Sequence, residues 1–229
     1  MGRRFTSGTS DRITVQNAAD LAGLSWLFGT IAALIYRSAD VANFETIIST
    51  NEAGATTNQF CIGSTDLLTV YDNPNIRTLT GAIATGQHIL LGFTKPTGTV
   101  AGRGHKYVFT TNTWTHAAMS GTVANAGATA SLQIGSATNA GVEFLSSEVW
   151  AIGMWDRNMT DKEFERLSAG RWLDSVPSFY EQWSDGREVG DMPKTLGRFP
   201  TRQTARTGTT RGIQKPPPGF RMCKQRRRR

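Results

Sequence analysis

Residues 141–170, GVEFLSSEVWAIGMWDRNMTDKEFERLSAG, decide the fold because they change from strand periodicity to helix periodicity within one short stretch. In the first half, both sets of alternating positions are apolar: Val149, Ala151, Gly153 and Trp155 form one set, and Trp150, Ile152 and Met154 form the other. A strand with two apolar faces is buried on both. We therefore expect a strand inside a sheet that is covered on both sides.

The second half of the stretch predicts one short helix. Thr160 and Glu163 form a T-x-x-E capping box, in which the two residues satisfy each other's backbone donors. Phe164 and Leu167 lie three positions apart on one helical face, and Gly170 supplies a stop signal. A strand buried on both faces, followed directly by a single capped helix, indicates the closing unit of a β domain.

The chain before this unit is rich in strand patterns. Apolar and β-branched runs recur at intervals of roughly 8–12 residues with turn residues between them, which is typical of an antiparallel sandwich or barrel. The predicted strands cover residues 26–37, 44–50, 59–63, 66–71, 77–84, 87–94, 106–111, 114–119, 130–134 and 149–155.

Charge divides the chain into two unlike parts. The protein has 229 residues and a formal net charge of +7. Residues 1–193 carry a net charge of −5 with every acidic residue of the chain, whereas residues 194–229 carry +12 and no acid. An acidic body with a basic tail indicates an interaction segment at the C-terminal side.

The cysteines and the apolar run over residues 21–36 indicate in which cellular compartment the protein folds. Cys61 and Cys223 fall in different parts of the chain and indicate no disulfide framework, which favours folding in a reducing cytoplasm. The apolar run is interrupted by Gly23, Ser25 and Gly29 and is shorter than the roughly 20 residues of a membrane span. We expect buried strands there, with no signal peptide and no membrane contact.

Four regions follow from these patterns. Residues 1–12 are expected to form an N-terminal arm, and residues 13–170 the sandwich. Residues 171–190 cluster four aromatic side chains and are expected to pack on the body as an apron, with a partner anchor as the alternative. Residues 191–229 have too few large apolar side chains to form a core and are expected to be an extended basic arm, disordered without a partner.

The closing unit resembles that of laminin-G-like domains in the concanavalin A-like lectin/glucanase superfamily, as found in bacteriophage virion proteins. The resemblance rests on VWAIGMWDR at residues 149–157, MTDKE at 159–163 and the Ala169-Gly170 pair, with weaker matches back to about Thr14. One departure is the segment FTTNTW after Tyr107, where the family often has an Asn-Gly hairpin. The resemblance implies an all-β, antiparallel two-sheet jelly-roll sandwich, with the short helix as its C-terminal cap.

No catalytic residue is predicted. Glycosidases need two carboxylates across a cleft, and the acidic cluster that glucanases of the superfamily carry on one strand has no counterpart here. Glu163 and Glu165 lie on different faces of the predicted helix and are expected to be solvated. We therefore expect a protein that is not an enzyme.

No metal ion or cofactor is predicted either. His88, His105 and His116 are far apart in the sequence, and no metal-binding spacing accompanies them. Residues 102–105, GRGH, lack the context of a phosphate loop and are expected to form a flexible loop. Calcium-dependent binding would need clustered oxygen ligands, and the local cluster at residues 72–75 is better explained as a turn.

The resemblance and the basic arm together indicate a virion protein made in the host cytoplasm. The expected role is capsid decoration or cement, or a head–tail or tail component, with capsid or tail subunits and further copies of the chain as partners. A carbohydrate-binding adhesin, which would expose Trp114 or Trp150 in a groove, and an arm that binds packaged nucleic acid are the alternatives. The expected partner-anchoring residues are Arg198, Arg202, Arg206, Arg211, Lys215, Phe220, Arg226, Arg227, Arg228 and Arg229.

Overall fold

The computed structural model describes residues 3–5, 13–15, 29–41, 43–52, 57–72, 75–95, 102–120, 129–137, 143–172, 179–184 and 187–190. Within these ranges the chain forms fourteen strands and one helix. The strands are β1 Arg3–Arg4, β2 Ile13–Val15, β3 Gly29–Arg37, β4 Glu45–Glu52, β5 Thr57–Ile62, β6 Leu68–Asp72, β7 Asn75–Leu79, β8 Gln87–Lys95, β9 Arg103–Val108, β10 Thr113–Ala118, β11 Thr129–Ile134, β12 Ser147–Trp155, β13 Phe179–Ser184 and β14 Arg187–Gly190. The helix, α1, spans Asp161–Ser168.

The strands form two antiparallel sheets. Sheet A has the order β10-β9-β8-β3-β12-β13-β14, and β1 also pairs with β12. Sheet B has the order β2-β11-β4-β5-β6-β7. The predicted fold class, an antiparallel two-sheet sandwich with one short helix, is confirmed for the described part of the chain. Among the described residues, no helix is long and apolar enough to cross a membrane.

The central strands of sheet A are buried on both faces. Along β3, Ile31, Ala33 and Ile35 point into the core between the two sheets, whereas Ala32 and Leu34 belong to a second apolar cluster on the opposite face. Helix α1 covers that outer face and buries its own apolar side chains there. The strand buried on both sides that the sequence predicts is therefore present, and β12 is buried at every position.

The alternation predicted along β12 is wrong at one position. The pairing of β12 with β3 shifts between Val149 and Ala151, so Trp150 is an extra residue in the ladder. Such a β-bulge changes which face the following side chains occupy. As a result Trp150 and Ala151 both join the outer cluster, while Val149 and Ile152 both point into the core between the sheets.

The loop expected at residues 102–105 is also wrong, because Arg103 begins strand β9. A Cβ atom at Gly104 would lie 3.0 Å from the Cβ of Leu79 and 3.1 Å from the Cγ of Met119. The glycine therefore permits close packing of the strand against its neighbours instead of flexibility. Gly102 adopts a φ of +86°, a backbone conformation that favours glycine, just before the strand starts.

Segments on both sides of the predicted sandwich add strands to sheet A that the sequence patterns do not predict. Two strands from the expected apron, β13 and β14, pair with each other, and β13 pairs with β12, which extends sheet A beyond Gly170. Arg3–Arg4 in the expected N-terminal arm pair with β12, and Phe5 is buried in the core. Main-chain pairing explains both differences, because it needs no alternating pattern in the added strand. The expected basic arm, residues 191–229, lies outside the described residues.

Candidate functional site

Two histidines that are distant in the sequence meet on the outer face of sheet A. Strands β9 and β10 form a hairpin in which His105 lies directly opposite His116. Their Nδ1 atoms are 2.8 Å apart, a hydrogen-bond distance. In the turn of this hairpin Asn112 has a φ of +53° and its side-chain oxygen accepts a hydrogen bond from the hydroxyl of Tyr107. Asparagine tolerates this left-handed conformation, so the turn forms without the Asn-Gly pair.

Helix α1 places a carboxylate beside the histidine pair. Asp161 is the first residue of the helix, and its Oδ1 lies 3.7 Å from Nδ1 of His105 and 3.8 Å from Nδ1 of His116. Arg103 holds this carboxylate with two hydrogen bonds, of 2.7 Å from Nε to Oδ1 and 2.6 Å to Oδ2. These bonds lower the pKa of Asp161, so the group is ionised at neutral pH.

Two features of the sequence fix the position of α1: its N-terminal capping box and the aromatic ring of Phe164. The predicted capping box is present: Thr160 Oγ1 accepts from the backbone N–H of Glu163 at 3.2 Å, and the Glu163 carboxylate accepts from the backbone N–H of Thr160 at 2.9 Å. Phe164 is buried over Gly92 and stacks on His105 with ring centroids 4.4 Å apart. The helix is therefore fixed directly above the histidine pair.

A chain of hydroxyl groups determines which nitrogen of His105 carries a proton. The hydroxyl of Thr30 donates to the carbonyl oxygen of Arg157 and accepts from the backbone N–H of Met159. Because that donation uses its only proton, Thr94 must donate to Thr30 across 3.3 Å. Thr94 then accepts from Nε2 of His105 at 3.1 Å. His105 therefore bears its proton on Nε2, and its Nδ1 lone pair faces His116.

His116 is held from two sides. Its Nε2 lies 3.4 Å from a carboxylate oxygen of Glu165, one turn along α1 from Asp161. Its ring stacks on Trp114 with a centroid distance of 4.8 Å and an interplanar angle of 14°. We call His105, His116 and Asp161, with Arg103 and Glu165 around them, the histidine cluster.

Burial keeps the deeper histidine uncharged. His105 is fully buried, and the cost of desolvating an imidazolium, with the nearby His116 as a second cause, lowers the pKa of His105 to about 3. At neutral pH its Nδ1 is therefore an available lone pair. The cluster thus combines a neutral imidazole and an ionised carboxylate, and the nearest donor atoms of His105, His116 and Asp161 lie within 3.8 Å of one another.

A second group of charged side chains lies around Arg37, at the C-terminal end of β3, and stabilises the packing of the two sheets. Arg37 is buried and donates to Glu45, which is also buried, at 2.8 and 2.6 Å. The same guanidinium contacts Asp66 at 2.5 Å and Asp40 at 3.0 Å, and it donates to the carbonyl oxygen of Ile83. Because β3 belongs to sheet A and β4 to sheet B, this network ties the two sheets together.

Two further cations are buried near each other. Arg77 lies over the ring of Phe93 at 5.4 Å, and burial lowers its pKa to about 10. Burial, together with the charge of Arg77, lowers the pKa of Lys95 to about 8. Burial therefore disfavours the charged form of both side chains relative to water.

The structure describes some of the site residues predicted from the sequence, and others lie outside the described residues. Trp150, one of two candidates for an exposed sugar-binding aromatic, is fully buried, while Trp114 is partly exposed. The side chains of residues 72–75, the calcium alternative, lie outside the described residues. So do all the predicted partner-anchoring residues, Arg198, Arg202, Arg206, Arg211, Lys215, Phe220, Arg226, Arg227, Arg228 and Arg229.

Sequence reasoning missed the histidine cluster. The distance between His105 and His116 in the sequence hides their contact, which arises because the hairpin places them in register. A signal was present: strands at 106–111 and 114–119 were both predicted, and two adjacent strands joined by a short loop favour antiparallel pairing. The misassigned loop at residues 102–105 concealed the pairing, since it left His105 outside a strand.

No protein family matches the chain, and no curated protein matches its sequence. Among solved structures, the chain is similar to tailspike protein 2 from an Escherichia coli O157:H7 bacteriophage, with 13% identity and a TM-score of 0.45. That match covers 77% of this chain but 25% of the tailspike, so the chain spans about a quarter of its length.

Two other solved structures are also similar to the chain. One is Trypanosoma rangeli sialidase in complex with sialic acid, at 15% identity and a TM-score of 0.41, covering 66% of this chain and 23% of the sialidase. The other is a SAP-like pentraxin from Limulus polyphemus, at 13% identity and a TM-score of 0.40, covering 74% of this chain and 84% of the pentraxin. These similarities assign the chain to no family.

Proposed function

We propose that this protein is a structural component of a bacteriophage particle and is not an enzyme. In this proposal it is a laminin-G-like capsid decoration or cement protein, with a head–tail or tail component as the nearest variant. The sandwich is displayed at the surface, and the basic segment, residues 191–229, attaches it to neighbouring subunits. The observation that carries the proposal is the division of charge, with +12 in residues 194–229 and a net charge of −5 in the rest.

The charged side chains of the described sandwich support a structural role. Asp161 is bound to Arg103, and Glu163 pairs with Arg157 at 2.9 Å. Glu45 is bound to Arg37 inside the protein. A glycosidase needs two carboxylates with a substrate between them, and these three are occupied by arginines. Their chemistry favours stability of the fold over catalysis.

The composition of the basic segment favours an acidic protein surface as its partner. Arginine forms two parallel hydrogen bonds with a carboxylate, which gives orientation as well as charge. Four large apolar residues, Leu196, Phe199, Ile213 and Phe220, are spaced along the segment and would fill pockets on a protein. An arm that only neutralised phosphates would need no such residues.

Particle assembly with the protein supplied in trans tests this function. The full chain is compared with a chain that ends at Asp191, and incorporation is measured by mass spectrometry of purified particles. We expect the full chain to be incorporated and the shortened chain to be lost, since the sandwich keeps its own core. Equal incorporation of the two chains would contradict the proposed attachment, and absence of the full chain from particles would contradict the virion role.

A charge-preserving variant distinguishes protein from nucleic acid as the partner of the segment. Replacing Arg226, Arg227, Arg228 and Arg229 with lysine keeps every positive charge but removes the two-pronged geometry. Binding to carboxylates is expected to weaken, whereas binding to phosphates is expected to be retained with a similar salt dependence. Retained incorporation together with a DNA mobility shift would therefore transfer the proposal to packaged nucleic acid.

Glycan binding is the second candidate, because one aromatic cluster is partly exposed. Trp114 lies on the edge strand β10 with Tyr107 at 4.6 Å, and Phe109 packs on Tyr107 at 4.7 Å. Aromatic rings with a polar neighbourhood are common in ligand sites. A glycan array probed with the full chain and with Trp114→Ala tests this function. Binding that disappears in the variant would support it, and an array without signal for the full chain would remove it.

A further inference from the structure

We propose that the histidine cluster is a site for a divalent transition-metal ion of the zinc type. The ligands are Nδ1 of His105, Nδ1 of His116 and Oδ1 of Asp161, supplied by β9, β10 and α1. Nothing in the proposed attachment through residues 191–229 depends on this site.

The distances between the three donor atoms fit one ion. They form a triangle with sides of 2.8, 3.7 and 3.8 Å. The centre of such a triangle lies about 2.0 Å from each corner, and zinc is bound by imidazole nitrogen at about 2.0–2.1 Å and by carboxylate oxygen at about 2.0–2.2 Å. An ion can therefore contact all three donors with little movement of the side chains.

The second ring nitrogen of each imidazole faces an oxygen atom, as it does in metal-binding histidines. Nε2 of His105 donates to Thr94, which leaves its Nδ1 free to ligate. Nε2 of His116 faces the carboxylate of Glu165 at 3.4 Å. A histidine that ligates a metal usually donates its other N–H to an oxygen, which fixes the ring and the tautomer. His105 meets this condition, and the carboxylate of Glu165 lies close enough to Nε2 of His116 to accept its N–H after a small movement of the side chain.

The carboxylate ligand is held in the same way. Both oxygens of Asp161 accept hydrogen bonds from Arg103, which fixes the direction of the group. Ligating carboxylates are themselves commonly hydrogen-bonded. The rings of Phe164 and Trp114 stack on the two imidazoles and restrict their rotation. The geometry is therefore held in place before any ion arrives.

The donor set also selects the class of ion. Two imidazole nitrogens and one carboxylate suit zinc, nickel or copper, whereas calcium and magnesium prefer oxygen ligands. In the metal-free protein one proton lies between the two Nδ1 atoms and belongs to His116; the ion takes its place, and the neutral imidazole then carries its proton on Nε2, which faces Glu165. Asp161 is 35% exposed and His116 12% exposed, so water can complete the coordination.

Calorimetric titration of the full chain, stripped with a chelator beforehand, tests the site directly. We expect one zinc ion to bind per chain and calcium to give no heat. Cobalt binding, followed by visible absorption, gives a second readout that reports nitrogen and oxygen ligands. The absence of zinc binding by the folded full chain would overturn the proposal.

Matched variants then assign the site. His116 lies near the surface, and His116→Gln is expected to weaken zinc binding by about 100-fold or more because a ligand is lost. Glu165→Gln is expected to weaken it by about 10-fold, because it removes the carboxylate that faces a ligating histidine. His88→Gln is the control, because His88 packs between Tyr36 and Trp150 away from the cluster. Circular dichroism establishes that each variant is folded.

Zinc binding by His116→Gln at wild-type affinity would overturn the assignment. Loss of binding on replacing Cys61 and Cys223 with serine would also overturn it, because it would place the ion on the thiols instead. Asp161→Asn provides an independent check, since it removes the ligand charge without altering either histidine, and unchanged affinity in this variant would also refute the site.

Discussion

Helix α1 rests on sheet A at a point where the ring of Phe164 covers Gly92, and this contact makes a quantitative prediction. A Cβ atom added at Gly92 would lie 2.0 Å from Cζ and 2.1 Å from Cε2 of that ring. Carbon atoms in favourable contact are about 3.5–4.0 Å apart, so the ring must move when Gly92→Ala is introduced. With Phe164→Ala also present, the same methyl group would enter the space that the ring has left.

The sign of the effect of Gly92→Ala should therefore depend on residue 164. In the wild-type background, overpacking is expected to cost about 1–3 kcal/mol of the free energy of unfolding. Phe164→Ala alone is expected to cost about 3–5 kcal/mol, because the side chain is fully buried. In that second background the methyl group buries apolar area worth about 0.8 kcal/mol and replaces a glycine inside a strand. The expected coupling energy between Gly92→Ala and Phe164→Ala is therefore about 3 kcal/mol.

Urea unfolding of the two single variants, the double variant and the wild type measures this coupling. Gly86→Ala provides the control, because Gly86 has a φ of +74° and nothing within 4 Å of the added atom. Its cost of about 1–2 kcal/mol comes from the backbone and should be the same with or without Phe164. Distant sites are additive within about 0.3–0.5 kcal/mol. Additivity of Gly92→Ala and Phe164→Ala within that margin would refute the position of the helix.

Three further predictions concern the cap and the buried charges. Thr160→Ala should destabilise the protein by about 1 kcal/mol in thermal unfolding, and Thr160→Ser should restore most of it; equal stability of both variants would contradict the cap. Arg37→Met should cost about 3–5 kcal/mol because Glu45 stays buried, and adding Glu45→Leu should recover much of this loss, whereas an additive double variant would argue against the ion pair. The folded pKa of Lys95, about 8, lies below the unfolded value of 10.5, so the unfolded chain binds this proton more tightly and stability should rise between pH 8 and 10.5. The stability of Lys95→Met relative to the wild type should therefore be higher at pH 7 than near pH 10.5; a difference that is independent of pH would contradict the shift.

The features predicted correctly from the sequence are those set by neighbouring residues. The capping box of Thr160 and Glu163 lies within one helical turn, and the two-sided strand at residues 149–155 is encoded in consecutive side chains. The predicted strands at 87–94 and 114–119 fall within a residue or two of β8 and β10 for the same reason. Such patterns need no knowledge of which strands pair.

The features that were missed depend on contacts distant in sequence. The bulge at Trp150 arises from the pairing of β12 with β3, and nothing in the local alternation indicates an extra residue. Arg37 follows an apolar run and reads as the polar end of a strand, yet it is buried because Glu45 and Asp66 approach it from other elements. The neighbours that make burial of a charge tolerable are visible only once the chain is folded.

The central strands of sheet A are buried on both faces, which limits the surfaces of that sheet that can bind a partner or ligand. One face forms the core with sheet B, and much of the other lies under α1, which leaves the sheet's edges and the adjoining outer rim. At one edge, β10 carries both Trp114 and His116, and its side chains are at least partly exposed along the whole strand. A metal ion held by His105, His116 and Asp161 would join β9, β10 and α1, so it would stiffen the same edge that presents Trp114. Metal binding and recognition by Trp114 would then be coupled, because an ordered edge costs a partner less conformational entropy than a mobile one.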